Sequence, residues 1–300
     1  MTIPFRRDDP LPVGEVQAIA PGIRRLLCGN PGPFTFRGTN TYLIGRGEVA
    51  VLDPGPVDAD HLAAILRATA GERITRIVIS HTHRDHSAGA APLKAETGAE
   101  TFGFGPHVTP PEAGGEGGDH GFIPDHRLAD GALLEGRDWR LTALHTPGHC
   151  ANHLCFAHEG EGAPAGILFS ADHVMSWSTS VVSPPDGDMA DYMRSLARVA
   201  ARDDSWLLPG HGPPLDDPAP FLTALAAHRR EREAKVLDAL RAATRSGGTA
   251  AAAALVSPVY GPDLDPRLAP AAARSLLAHL VKLAAEGAAE SEADGRYRAR

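Results

Sequence analysis

The feature that most constrains this chain is His81-Thr82-His83-Arg84-Asp85-His86, which follows the apolar run Ile74 to Ser80 (ITRIVIS) without a break. That run reads as a buried strand. In extended backbone, residues two apart point to the same side, so His81 and His83 can face one metal ion together. Asp85 and His86 follow where the chain turns and can face a second point nearby. Neutral imidazole and carboxylate are the ligands that zinc and similar borderline ions take. A chain that spends four such groups in six residues beside a strand is built around a cation site.

Six residues cannot close such a site alone. Three more candidates stand just after strand-like runs, in turn contexts. His149 lies in Thr146-Pro147-Gly148-His149, Asp172 follows Ile167 to Ala171, and His211 lies in Leu207-Leu208-Pro209-Gly210-His211-Gly212. Ligands carried on loops at the ends of different strands suit a rigid scaffold with its site at one edge.

The rest of the chain supplies that scaffold. Thr41 to Ile44 and Val49 to Leu52 read as strands, the second closed by the turn Asp53-Pro54-Gly55-Pro56. Asp58 to Ala70 has helical spacing with Asp58 as its cap. Pro92 to Gly98 reads as a short helix and Glu100 to Phe104 as a strand. Leu133 to Ala143, Leu154 to Ala157, Ile167 to Phe169 and Trp206 to Leu208 read as further strands, with Asp188 to Ala201 a helix. The alternation predicts a layered α/β architecture. From Pro218 the pattern is almost wholly helical: Pro220 to Arg245, Thr249 to Val256, and Ala269 to Glu286. A hairpin signal, Asp294-Gly295, closes the chain. Helices followed by one hairpin predict a small winged-helix module. The expected division is a catalytic domain over 1–217 and a C-terminal winged-helix-like domain over 218–300.

HTHRDH, TPGH, SAD and LPGHG, in this order, resemble the metallo-β-lactamase superfamily over roughly residues 15 to 215. The resemblance implies an α/β fold, the αβ/βα four-layer sandwich. It also implies that His81, His83 and His149 hold one metal, that Asp85, His86 and His211 hold a second, and that Asp172 bridges them. Two divalent ions are expected, zinc first, with manganese or iron as the other choices, and a hydroxide between them is the implied nucleophile. Asp85 and Asp172 are the expected catalytic carboxylates. Gly38 to Leu43, HTHRDHSAG, the helix start His228 to Glu233, and Ala278 to Leu283 resemble the narrower lactamase-beta-two-like group, which carries a winged helix. One branch of that group cuts single-stranded RNA. Secreted zinc β-lactamases usually carry Cys or Ser where this chain has Asp172.

Composition sorts the substrate classes. The net charge is −8, but from Phe221 onward there are 12 Lys and Arg against 9 Asp and Glu, so the acidity belongs to the preceding part. An acidic main domain opposes a long polyanion. The expected substrate is therefore a small ester or thioester. Single-stranded RNA is the alternative, and an iron-dependent dioxygenase or a non-catalytic binding protein stands further back. Ala269 to Glu286 has only Arg274 and Lys282 as basic residues, too few to grip duplex DNA, and is expected to dock on the catalytic domain and wall the cleft.

Arg229, Arg230 and Arg232 are expected to pair with neighbouring acids on a solvated helix. With Lys282, they could alternatively form a basic strip near the cleft. Thr39 and Asn40 could reach substrate or could cap a turn. Cys28, Cys150 and Cys155 have no paired or metal-like spacing and are expected as buried small residues. His145, His153, His158 and His173 are expected around the ligands or at the surface. Gly114 to Gly118 lacks the Lys and Ser/Thr of a phosphate loop and reads as a solvated loop or a flap. The N-terminus has two Arg but no apolar stretch after them, and no run of 18 apolar residues occurs, so the cytoplasm is the expected location and no membrane is expected as a partner.

Overall fold

The computed structural model describes residues 2–111 and 117–300. Strands β1 (Val16–Ala20), β2 (Ile23–Leu27), β3 (Asn40–Ile44), β4 (Glu48–Leu52), β5 (Arg73–Val78), β6 (Glu100–Gly103) and β7 (His126–Arg127) form one sheet in chain order. Its first half is antiparallel. It turns parallel from β4 onward, where α1 (Ala59–Ala68) and α3 (Ala90–Thr97) supply the crossovers. The second sheet runs β13 (Leu215–Asp216), β12 (Trp206–Pro209), β11 (Ile167–Ala171), β10 (Leu154–Gly160), β9 (Trp139–His145), β8 (Leu133–Glu135).

Strand alternation sets the layers. Along β4, Ala50 and Leu52 turn toward the other sheet, while Val49 and Val51 turn toward α1 and α3. Along β11, Ile167 and Phe169 face the first sheet, while Leu168 faces α4 (Met189–Ala200). Helices thus cover both outer faces, and the core between the sheets is filled by Tyr42, Phe156, Phe169 and their neighbours. This is the expected four-layer αβ/βα sandwich. Asp58 caps α1 by accepting from the His61 amide at 2.9 Å, as its position before the helical spacing predicts.

The structure corrects several expectations. Leu133 to Ala143 is not one strand but a tight hairpin, β8 and β9, because Gly136 and Arg137-Asp138 break the run. The strands β1 and β2 were not expected, since Gln17, Arg24 and Arg25 interrupt their apolar pattern. Arg25 is nevertheless fully buried, ion-paired with Asp9. A four-residue helix α2 (Arg84–Ser87) begins within the HTHRDH segment and ends one residue beyond it. The helix expected over Thr249 to Val256 is a single 3-10 turn over Ala252–Leu255 that runs into α6 (Val256–Tyr260).

The C-terminal unit contains α5 (Pro218–Thr244), α6, α7 (Ala269–Ala285) and the hairpin β14 (Ala289–Ser291) and β15 (Tyr297–Ala299). Its core holds Val236, Leu240, Leu255, Leu276, Leu280 and Leu283. The first half of α5 instead buries Phe221, Leu222 and Leu225 against α4 and the second sheet. One helix, wholly C-terminal to the expected division at 217 and 218, therefore packs into both cores. By length and composition alone, Pro266–Ala285 could cross a membrane. Here its apolar face is the centre of the C-terminal core.

Candidate active site

All seven predicted ligands meet at one edge of the sandwich, where β5, β9, β11 and β12 end. They form two clusters. In the first, His83 Nδ1 lies 3.0 Å from His81 Nε2 and 2.9 Å from His149 Nε2. In the second, His211 Nε2 lies 3.2 Å from His86 Nε2 and 3.2 Å from Asp85 Oδ2. Asp172 stands between them. Its Oδ2 is 3.6 Å from His149 Nε2 and 3.5 Å from His211 Nε2, and its Oδ1 is 3.5 Å from His86 Nε2.

The donor set fits divalent cations. Ligand nitrogens at zinc distances around a tetrahedral ion stand about 3.3 Å apart, close to the separations here. Asp172 Oδ1 is buried with no hydrogen-bond partner among the described residues, an arrangement that costs free energy unless a cation meets it.

Four of the five imidazoles, His81, His86, His149 and His211, are aimed by their other nitrogen. His149 Nδ1 donates to the Val181 carbonyl at 2.6 Å and His211 Nδ1 to the Gly38 carbonyl at 3.1 Å. His86 Nδ1 donates to Asp53 Oδ2 at 2.9 Å. Ser80 Oγ donates to the same oxygen at 2.6 Å and accepts from His81 Nδ1 at 3.0 Å. Such bonds fix the tautomer and leave the other nitrogen as a ligand. Asp53 thus orients two of the candidate ligands, His86 directly and His81 through Ser80. Sequence reasoning missed it, because Asp53-Pro54-Gly55-Pro56 reads as a turn. The available signal was a carboxylate at a strand end, the context shared by Asp172. Asp53 and Ala171 also hold positive φ angles of 53° and 43°. Two non-glycine residues in this costly region beside the ligands mark a site whose geometry overrides local preference.

The electrostatics of the clusters differ. Burial, reinforced by neighbouring imidazoles, holds His81 well below its ordinary value and His83 down to about 3. These rings present lone pairs. Burial works against charge on His86 and His211 too, but the Asp172 and Asp85 carboxylates outweigh it, raising His86 well above its ordinary value and His211 to about 9. The same carboxylates are held low by these two histidines, against the effect of burial. A bound cation would replace those protons.

Other predicted positions fall into place around this centre. Asn40 is buried and donates to the Pro209 and Gly212 carbonyls at 2.9 and 2.8 Å, so it staples the His211 loop. Thr39 is buried beside it, bridged to His211. His153 Nε2 accepts from the Asp172 amide at 3.2 Å. His173 is buried next to Asp172, His158 is buried within β10, and His145 stacks on Phe104. All three cysteines are buried, and burial pushes the Cys155 thiol up to about 12. Residues 112–116 of the glycine-rich loop lie outside the described residues. Gly117 accepts from the Arg84 amide at 2.9 Å and lines the cleft.

A cleft of about 360 Å³ opens over the clusters. Phe34, Met175, Val181 and Ala271 give it apolar walls, and Arg274 is the only Lys or Arg among its described lining residues. Ala271 and Arg274 come from α7, which walls the cleft as expected. The basic strip does not reach it. Arg229, Arg230 and Lys282 line a separate groove, with Lys282 bonded to Glu233 at 2.7 Å and Glu286 at 2.8 Å. Nor is that helix face simply solvated. Arg229 is buried, and Arg232 lies 4.0 Å above the Tyr260 ring.

The metallo-beta-lactamase superfamily matches residues 34–211, and the beta-lactamase associated winged helix domain matches residues 251–298. The chain is 32% identical over 257 residues to an atrochrysone carboxyl ACP thioesterase of Passalora fulva, across 84% of this chain and 72% of that protein. It is 31% identical over 235 residues to a beta-lactamase-like protein 2 homolog of Caenorhabditis elegans, across 76% and 74%. A metallo-beta-lactamase family protein of Thermus thermophilus superposes with a TM-score of 0.74 at 26% identity, covering 94% of this chain and 100% of that one. Family, relatives and site agree: this chain belongs to the metallo-beta-lactamase superfamily, as a hydrolase with an associated winged-helix domain.

Proposed function

We propose that this protein is a metal-dependent hydrolase of a small acyl thioester or ester. The observation that carries the reading is the cleft itself. Phe34, Met175, Val181 and Ala271 give it apolar wall beside the polar Thr35, Ser183 and Asp186, its described lining holds one guanidinium and no basic track, and it stands directly over the candidate ligand clusters. An acyl chain suits such walls, whereas a polynucleotide needs rows of cations. The thioesterase named among the relatives points the same way.

His81, His83 and His149 hold one cation, and Asp85, His86 and His211 hold a second. Asp172, whose carboxylate stands between the two clusters, would serve both cations, and zinc is the preferred ion. Cations bound there supply Lewis acidity to the carbonyl oxygen and acidity to a water. The chain does the rest. Phe34, Met175 and Val181 take the acyl group and exclude bulk water. Asp85, whose side chain is 29% exposed against 9% for Asp172, is the cluster carboxylate more open to the cleft. It orients the attacking water and accepts its proton at Oδ1, since Oδ2 faces His86 and His211 in the second cluster. The water oxygen bonds to the acyl carbon, the carbon–sulfur or carbon–oxygen bond breaks, and the proton passes to the leaving thiol or alcohol.

The test uses one preparation on a generic thioester, an aryl ester and single-stranded RNA, with Asp85→Ala controlling for contaminants. Thioester or ester turnover is expected, with shallow salt dependence and loss on chelation. RNA cleavage abolished by Asp85→Ala, with no acyl substrate touched, would falsify the reading.

A further inference from the structure

Arg229 sits in the first half of α5, far in sequence from every ligand, and is only 4% exposed. Its guanidinium lies 4.9 Å over the Tyr192 ring, and Nη2 donates to the Ser180 carbonyl at 2.5 Å. The Tyr192 ring meets its charge and the Ser180 carbonyl one of its N–H groups, while Nε is buried without a hydrogen-bond partner among the described residues. A planar guanidinium buried on so few partners holds those it has in a set direction. The partners here belong to the site. Val181, next to Ser180, gives its carbonyl to His149 Nδ1 at 2.6 Å. The Ser180 hydroxyl donates to the His173 carbonyl at 2.8 Å, and the Tyr192 hydroxyl donates to that same carbonyl at 3.1 Å. His173 directly follows Asp172. On the far side, Gly148 presses on Tyr192 so closely that a Cβ there would lie 2.3 Å from the Tyr192 Cα.

We propose that Arg229 is a positioning residue for the first ligand cluster. By fixing the 180–181 segment, it keeps the Val181 carbonyl on His149 Nδ1, which holds the proton there and aims Nε2 at His81 and His83. The inference rests on the metal role of His149 proposed above. A guanidinium that only packed α5 onto the sandwich would affect overall stability and leave the His149 ring unchanged.

The test takes full-length protein with 15N-labelled histidine, as wild type, Arg229→Met and Arg229→Lys, each metal-free and with zinc alone. In metal-free Arg229→Met, His149 is expected to show mixed tautomers and a faster-exchanging Nδ1 proton. Its zinc affinity, read by competition with a chelator, should fall about 10–100-fold. Arg229→Lys, which keeps a charge and a donor, should recover part of both. A folded Arg229→Met with an unchanged His149 signal and unchanged zinc affinity overturns the proposal. If that variant does not fold, the same two readings on Arg229→Gln decide, and wild-type values there overturn it equally. If His149→Ala leaves zinc binding intact, the metal role of His149 falls, and the metal-free tautomer reading alone decides the role of Arg229.

Discussion

At the scale of single residues, the site depends on small groups that let large ones approach. Gly210 lies against Asp172 and His86 so closely that a Cβ would stand 2.6 Å from Asp172 Oδ1 and 2.7 Å from His86 Cε1. Gly210→Ala should therefore push those two ligands apart. Hydrolysis should drop roughly 100-fold, the usual cost of an ångström of misplacement. Metal content should fall while circular dichroism stays near wild type. Asp53 acts more gently, through two rings. Asp53→Asn removes one acceptor shared by Ser80 and His86 and should weaken metal binding by about 10–100-fold, as titration with a chromophoric chelator would show. The seven clustered side chains were legible as candidates because each stands at or just after the end of a strand-like run, and the Pro-Gly-His triplets repeat that context. Asp53 and Arg229 were not. Asp53 sits in a turn whose Pro and Gly already account for an acid, and a helical Arg among acids looks like a surface pair until tertiary contacts bury it.

At the scale of elements, patterns with a clean period were read correctly and interrupted ones were not. β4 and β5 alternate or run apolar and were expected. β1 and β2 carry charged or polar residues inward, and only the buried Arg25–Asp9 pair makes sense of them. Two histidines inside elements have a measurable consequence. His61 in α1 and His158 in β10 are lowered by burial to about 4. Each favours the fold in its neutral form. That stability is complete above the unfolded value of about 6.5 and erodes as pH falls toward 4, by roughly 2–3 kcal/mol per residue. His158→Gln should lose less stability than wild type between neutral pH and about 4.5, measured by urea denaturation of metal-free protein at both pH values.

At the scale of the whole molecule, the C-terminal unit is structurally continuous with the sandwich. Phe221, Leu222 and Leu225 fill the core beneath α4, while Val236 and Leu240 of the same helix fill the other core. A chain ending at Asp217 should lose several buried apolar side chains from the sandwich, each contributing about 1.5–3 kcal/mol. It is expected to aggregate or to unfold without the cooperative transition of the full chain. A chain ending at Thr244 should keep the first of these contacts and be the more soluble of the two. Sedimentation and thermal melts of both fragments check this.

The spacing of the ligands along the chain also sets an order in time. His86 and His211 meet across 125 residues, and the His211 ring is held by Gly38 from 173 residues away. Chains leave the ribosome from the N-terminus. The first cluster is therefore complete in sequence once His149 has emerged, whereas the second waits for His211. Arg229 emerges after both. A nascent chain can gather three imidazoles long before the helix that carries Arg229 exists, so on the roles proposed for His149 and Arg229 firm metal occupancy belongs to the finished protein and not to the growing one.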